Sequence, residues 1–361
     1  MTSARLAIRA PNHLGELVLA LPALARASSL SARPPIVQVV VGLGPVLEMS
    51  GLELETLPME ARHAVIRAAR ELRRRSPDRG VLLTPSFSGA LIFRLAGIPE
   101  RRGTATDARS LLLTDRVDRE PLLRGHRVLE YLELVDPGAA GRHGGGGEGE
   151  PPAPRLTRLD GARAAWTSLV SALADPPWAA ELARRPEERR GPVVGLCPGG
   201  NAPSRRWPAH RFRELAAALG EDGVWTPVFG GAGEADRTAA VCDGLPAAVD
   251  LGGRTGLRAL AGGLLACDAV VSNDSGPMHL AAALGRPVVS LWGAGDPEQT
   301  RPLGGAPRMV GRFDLPCVPC VRNRCPRSGE GYVLTRAERE CMHLIDVEQV
   351  RQAVDALLRP R

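Results

Sequence analysis

Lysine is absent from this sequence of 361 residues: all 46 basic side chains are arginine. Alanine, glycine and proline are plentiful, so the bias reflects a GC-rich genome more than a chemical need. A net charge of +6 then says only that anionic substrates or lipid headgroups meet no repulsion. Aromatic residues are just 3% of the chain, too few for the stacking platforms that nucleic-acid bases require, and the arginines are dispersed among 40 acids, so nucleic acid is not an expected partner. No apolar run is long enough for a transmembrane span. Leu17 to Ala27 is apolar, follows Arg5 and Arg9, and loosely imitates a signal peptide. Glu16 and Pro22 fit that reading badly, and Leu6 to Ala10 reads as a strand feeding a helix, so a cytoplasmic protein is expected.

What is present is an alternation. Apolar runs at Leu6–Ala10, Pro35–Val41, Gly80–Thr84, Val193–Leu196, Trp225–Phe229, Ala269–Val271 and Val288–Leu291 are separated by helical stretches. Strands alternating with helices predict an α/β fold with doubly wound parallel sheets and right-handed crossovers. The length exceeds one ordinary core, and the Gly-, Pro- and Glu-rich stretch Gly138 to Pro154 cannot join one. It predicts domains at residues 1–150 and 151–345, with a final helix, Val347 to Leu358, carrying a stripe of Val347, Val350, Val354 and Leu357. A basic, hydroxyl-rich segment, Arg101 to Thr114, reads as a solvated loop.

Three loops lie where chemistry is expected in such sheets, beyond the carboxyl ends of strands. Ala269–Val271 breaks into Asn273-Asp274-Ser275-Gly276, with Pro277 suited to the first turn of a helix. Unpaired backbone N–H groups and the helix dipole there attract an anion such as phosphate; the alternative is that Asp274 or Ser275 only caps the helix. Val193–Leu196 runs into Pro198-Gly-Gly-Asn-Ala-Pro-Ser-Arg-Arg-Trp-Pro208. Gly199 and Gly200 allow close backbone approach, and Arg205 and Arg206 offer planar forks for phosphate oxygens. The loop is neither a Walker loop nor a nicotinamide fingerprint. Trp225–Phe229 leads to Gly230-Gly-Ala-Gly-Glu234, whose carboxylate can accept hydrogen bonds from a ribose or simply start a helix. In the first half, Glu16 begins a helix, where the dipole favours the anion and so a base over a neutral acid.

Of seven cysteines, Cys197, Cys242 and Cys267 read as buried thiols, while Cys317, Cys320, Cys325 and Cys341 have spacings that can wrap zinc, with His343 as a spare ligand. Reduced, packed thiols are the competing reading, and a cytosolic disulfide is disfavoured.

Taken together, His13-Leu-Gly-Glu-Leu-Val-Leu-Ala-Leu-Pro22, Pro198-Gly-Gly with Ser204-Arg-Arg-Trp-Pro208, Gly230-Gly-Ala-Gly-Glu234, Ser272-Asn-Asp-Ser-Gly-Pro-Met-His279 and Gly285-Arg-Pro resemble glycosyltransferase family 9, the lipopolysaccharide heptosyltransferases. Pro85-Ser-Phe-Ser88 and Gly97-Ile-Pro-Glu-Arg101 match as well. The resemblance implies a GT-B fold of two Rossmann-like domains, acceptor side first, and an inverting transfer from an ADP-activated heptose to a lipid-anchored saccharide at the cytoplasmic face of the inner membrane. It also implies that the terminal helix returns to the first domain. Glu16 matches the family's general base, usually an aspartate. Arg205 matches a family lysine; with Arg206, Ser204, Gly199, Gly200, Asp274, Ser275, Gly276 and His279 it would hold the donor's phosphates, and Glu234 its ribose. No catalytic metal or cofactor is implied. The alternatives are an inactive nucleotide-sugar-binding module, suggested by the altered residue 16, and a nucleotide-sugar hydrolase or epimerase.

Overall fold

The computed structural model describes residues 5–60, 65–144, 150–173, 181–182, 189, 191–325 and 340–359. Most of the glycine run 144–147, most of the Pro186 to Arg190 loop and the run between Cys325 and Glu340 lie outside the described residues. The chain divides into two compact units, residues 1–158 and 159–361. Among the described residues no helix is long and apolar enough to cross a membrane.

The first unit holds six parallel strands, β1 (Leu6–Arg9), β2 (Ile36–Val40), β3 (Glu55–Met59), β4 (Arg79–Leu82), β5 (Glu100–Thr104) and β6 (Asp115–Val117), in the order β3-β2-β1-β4-β5-β6. Helices α1 (Leu14–Leu30), α2 (Gly44–Ser50), α3 (Val65–Arg73), α4 (Phe87–Ala96), α5 (Arg127–Val135) and α6 (Ala139–Gly144) accompany it. Burial on both faces explains the continuous apolar strands: Ala7, Ile36, Leu57 and Leu82 pack with Leu72 and Phe93 of α3 and α4. The expected loop at Arg101 to Thr114 is instead the strand β5 followed by a 3-10 turn. Its arginines are not solvated as read: Arg101 Nε donates to the Leu112 carbonyl at 2.7 Å, Arg102 Nε to that of Leu134 at 3.1 Å, and Arg109, 1% exposed, to that of Thr84 at 2.7 Å. Local charge hid a strand whose polar heads find backbone partners far along the chain.

The second unit repeats the plan with β7 (Val194–Cys197), β8 (Thr226–Gly230), β9 (Ala248–Gly252), β10 (Ala269–Asn273), β11 (Val288–Trp292) and β12 (Arg308–Gly311), all parallel, ordered β12-β11-β10-β7-β8-β9. Its helices are α7 (Asp160–Ala172), α8 (Ala209–Glu221), α9 (Ala235–Cys242), α10 (Leu257–Ala266), α11 (Gly276–Ala283), α12 (Pro297–Thr300), α13 (Glu340–His343) and α14 (Val347–Leu358). Both sheets have the Rossmann order, so each has a switch point where the winding reverses, between β1 and β4 and between β7 and β10. The terminal helix α14 has the expected bounds and stripe. Its Val350 and Val354, together with Ile345, are buried in the second unit's core with Val271, Leu291 and Leu215.

Helices α7 and α10 meet through glycine. A Cβ on Gly262 would overlap the Ala162 carbonyl oxygen and crowd Trp166. The variant Gly262→Ala should therefore cost about 1–3 kcal/mol of stability, read as a lower melting temperature.

Candidate active site

The switch point of the second sheet brings the loops after β7 and β10 together, and one side chain ties them. Asn273, fully buried at the end of β10, donates through Nδ2 to the Pro198 and Gly199 carbonyls at 2.9 and 3.0 Å, and its Oδ1 accepts from the Trp207 backbone N–H at 2.9 Å. Trp207, itself fully buried, donates its indole N–H to the Ile345 carbonyl at 3.1 Å. Asn273 and Trp207 are the residues that loop reading passes over, and their bonds hold both loops.

On this frame Arg205 Nη1 meets Asp274 Oδ2 at 2.9 Å, and Arg206 Nε donates to the Gly200 carbonyl at 2.7 Å. Asp274 is nearly covered, its side chain 4% exposed against 25% for Arg205; a Cβ on Gly295 would overlap its carboxylate, so the loop after β11 closes over it. Ser275 occupies the N-cap position of α11 but makes no side-chain cap bond, its hydroxyl lying 3.2 Å from that of Ser272. Ser275 thus leaves the first-turn N–H groups of α11 without a cap from its side chain, the condition under which a helix end receives an anion.

Glu234 sits at the end of β8, as expected, but its two oxygens are engaged by the protein: Oε1 accepts from the Gly200 N–H at 2.7 Å and Oε2 from the Gly231 N–H at 2.9 Å. Gly200 has a φ of +146°, and a Cβ on Gly199 would overlap the Glu234 carboxylate, so both glycines are required by this contact. A carboxylate has further lone pairs, and Glu234 with Arg206 lines a groove of about 360 Å³. Ser204 faces elsewhere: it is buried and donates to the Arg322 carbonyl at 2.5 Å, anchoring the cysteine-bearing strap. His279 is buried in α11 and engaged with the protein.

The zinc expectation finds no support. Among the described residues no group of three or more His, Cys, Asp or Glu side chains can hold a metal ion. The Cys341 thiol is pushed up to about 11, chiefly by burial and further by Cys317, and burial likewise raises Cys267 to about 12. Cys267 is a buried thiol and Cys341 a partly buried one, whereas Cys317 is exposed.

In the first unit, the switch point opens a cavity of about 1020 Å³ at the strand ends, with Arg9, Asn12, His13, Gln38, Ser86 and Ser88 among its lining residues. Arg9 is buried and held by the carbonyls of Ala10 at 3.0 Å and Gln38 at 3.1 Å and by Asn12, and burial lowers its pKa to about 10. Both polar atoms of the fully buried Gln38 amide lack a partner among the described residues. Glu16 lies in the first turn of α1, and the Tyr131 hydroxyl donates to its Oε2.

Removing the Asn273 amide strands a buried N–H and two carbonyls. We expect Asn273→Ala to cost about 3 kcal/mol, a melting-temperature drop of roughly 6–12 °C, measured by thermal unfolding.

Known proteins agree with this architecture. A sequence profile described as "Glycosyltransferase family 9 (heptosyltransferase)" matches residues 65–329. Lipopolysaccharide heptosyltransferase 2 of Escherichia coli K12 is 32% identical over 272 residues, spanning 71% of this chain and 73% of that protein. The structure of the E. coli ADP-heptose lipopolysaccharide heptosyltransferase II superposes with a TM-score of 0.76 at 25% identity, covering 98% of each chain. An E. coli heptosyltransferase WaaC with ADP shares the fold, with a TM-score of 0.65 at 18% identity over 98% of this chain and 99% of that one. The chain belongs to glycosyltransferase family 9, the heptosyltransferase family, and is a glycosyltransferase built on the GT-B pair of Rossmann-like domains.

Proposed function

We propose that this enzyme transfers a heptose from an ADP-activated donor to a lipid-anchored core saccharide at the cytoplasmic face of the inner membrane, with inversion at the anomeric carbon. The observation that carries the donor side is the uncapped start of α11 beside the Arg205–Asp274 pair at the β7/β10 switch point. Three relatives or neighbours whose names specify ADP-heptose, ADP or heptosyl transfer to lipopolysaccharide support the same substrates. Arg205 and Arg206 with the backbone of Asp274–Gly276 hold the pyrophosphate, and Glu234 takes a ribose hydroxyl on its remaining lone pairs.

The chemistry is a single displacement. The acceptor hydroxyl oxygen forms the new bond to the anomeric carbon and its proton passes to Glu16. The bond to the diphosphate breaks, and the electron pair leaves on the phosphate oxygen. Guanidinium forks and helix N–H groups stabilise that leaving charge without a divalent ion. The cavity at the β1/β4 switch point takes the acceptor, where the unsatisfied Gln38 amide and the buried Arg9 suit hydroxyl and carboxylate groups of a sugar.

Replacing both Arg205 and Arg206 with alanine should weaken ADP binding by at least tenfold, or about 1.4 kcal/mol, by titration calorimetry; unchanged affinity would remove the phosphate role. In a transfer assay with ADP-heptose, Glu16→Gln should keep donor affinity and lose most turnover, on the order of 10²–10⁴-fold, and EDTA should leave the wild-type rate unchanged. Release of free sugar without an acceptor would favour a hydrolase instead.

A further inference from the structure

Glu16 is held by a second helix. α5 packs along α1 and brings two side chains to one carboxylate oxygen: the Tyr131 hydroxyl donates to Glu16 Oε2, and Arg127 Nε stands 3.8 Å from that same atom. Glu16 Oε1 receives no hydrogen bond from any described residue, and the side chain keeps 33% of its surface exposed. The carboxylate is thus pinned by one oxygen and open at the other.

Both partners suit a fixed clamp. Tyr131 is 3% exposed, and burial first, then the neighbouring charge of Glu16, push its phenol well above the usual range, so it stays a donor. Burial alone would lower Arg127, but Glu16 and Glu130 more than offset it and keep the guanidinium charged. Arg127 is itself fixed by the buried Glu130, whose Oε2 accepts from Nη1 at 2.6 Å. The ordered row runs Glu130, Arg127, Glu16, Tyr131.

We infer that Tyr131 and Arg127 are positioning residues that lock Glu16 Oε2, so that Oε1 is the oxygen that takes the acceptor's proton. This rests on the reading of Glu16 as the base. Tyr131 keeps its own proton throughout and enters no bond-making step. A carboxylate on three single bonds otherwise samples several rotamers, and a base displaced by about 1 Å can lose about a hundredfold in rate. The clamp also gives the glutamate a reason. An aspartate ends one carbon–carbon bond short, roughly 1.5 Å, and from the same turn of α1 would not reach the phenol.

The test is a double-mutant cycle on the full-length enzyme, with ADP-heptose as donor and a lipid-anchored core saccharide as acceptor. Tyr131→Phe keeps the buried ring and removes only the hydroxyl. We expect kcat to fall between about tenfold and a hundredfold with donor KM unchanged, and Glu16→Asp to fall likewise. The double variant should be no slower than Glu16→Asp alone, because the shorter acid has already lost the phenol. Wild-type kcat in Tyr131→Phe, or losses that multiply in the double variant, would overturn the clamp. Glu16→Gln separates the two readings: if it is inactive while Tyr131→Phe is as fast as wild type, only the clamp falls, and if it turns over fully, the base and the clamp fall together.

Discussion

One buried amide sets the geometry of the second unit. A parallel sheet whose winding reverses leaves the ends of β7 and β10 side by side, but adjacency alone does not fix a loop. The Asn273 amide does so by bonding to two carbonyls of one loop and one N–H of the segment beyond it. Its donors and acceptor are all satisfied in a fully buried setting, where such bonds are strongest and their loss most costly. Arg205, Arg206, Ser275 and the start of α11 take their places from that staple.

The electrostatics follow from the same frame. Arg205 is not idle cationic surface: its charge is balanced at rest by Asp274, which the Gly295 loop covers. The planar guanidinium keeps further N–H groups beyond the one given to Asp274, and a diphosphate can compete for them, which a compact ammonium would do differently. Glu234 plays an equally internal part, since its bonds to Gly200 and Gly231 tie the loops after β7 and β8. The loops proposed to bind the diphosphate are themselves held by carboxylates.

The first unit repeats the topology and turns it to another use. Its switch point carries no paired arginine forks. It has a cavity with a buried arginine whose Nη1 donates to backbone carbonyls and a glutamine amide with neither atom satisfied among the described residues. Buried polar groups without partners are uncommon in folded proteins, and such an amide suits a polyhydroxylated ligand that supplies both donors and acceptors. Nearby, α5 brings Tyr131 to the first turn of α1, so the acidic side chain is shaped from outside its own helix.

Much of this was legible in the amino-acid order. Apolar runs of strand length, glycines and prolines at their ends and the spacing of the motifs determined two parallel α/β domains, the strand ends carrying the site, and the bounds of the last helix, because burial on both faces of a sheet and the stereochemistry of Gly and Pro are local facts. The strands β3, β5, β6, β9 and β12 escaped that reading; in β5 arginines bury their heads on distant carbonyls, and no local pattern records it. Spacing suggested zinc for four cysteines, of which Cys317 is exposed and Cys320, Cys325 and Cys341 are partly buried, and no metal-holding group is found among the described residues. That Ser275 leaves its helix uncapped, that Ser204 anchors a strap, and that Tyr131 reaches Glu16 from 115 residues away were decided only by tertiary structure. The last two are pairings between distant segments, and such a pairing exists only once the sheet order has brought them together.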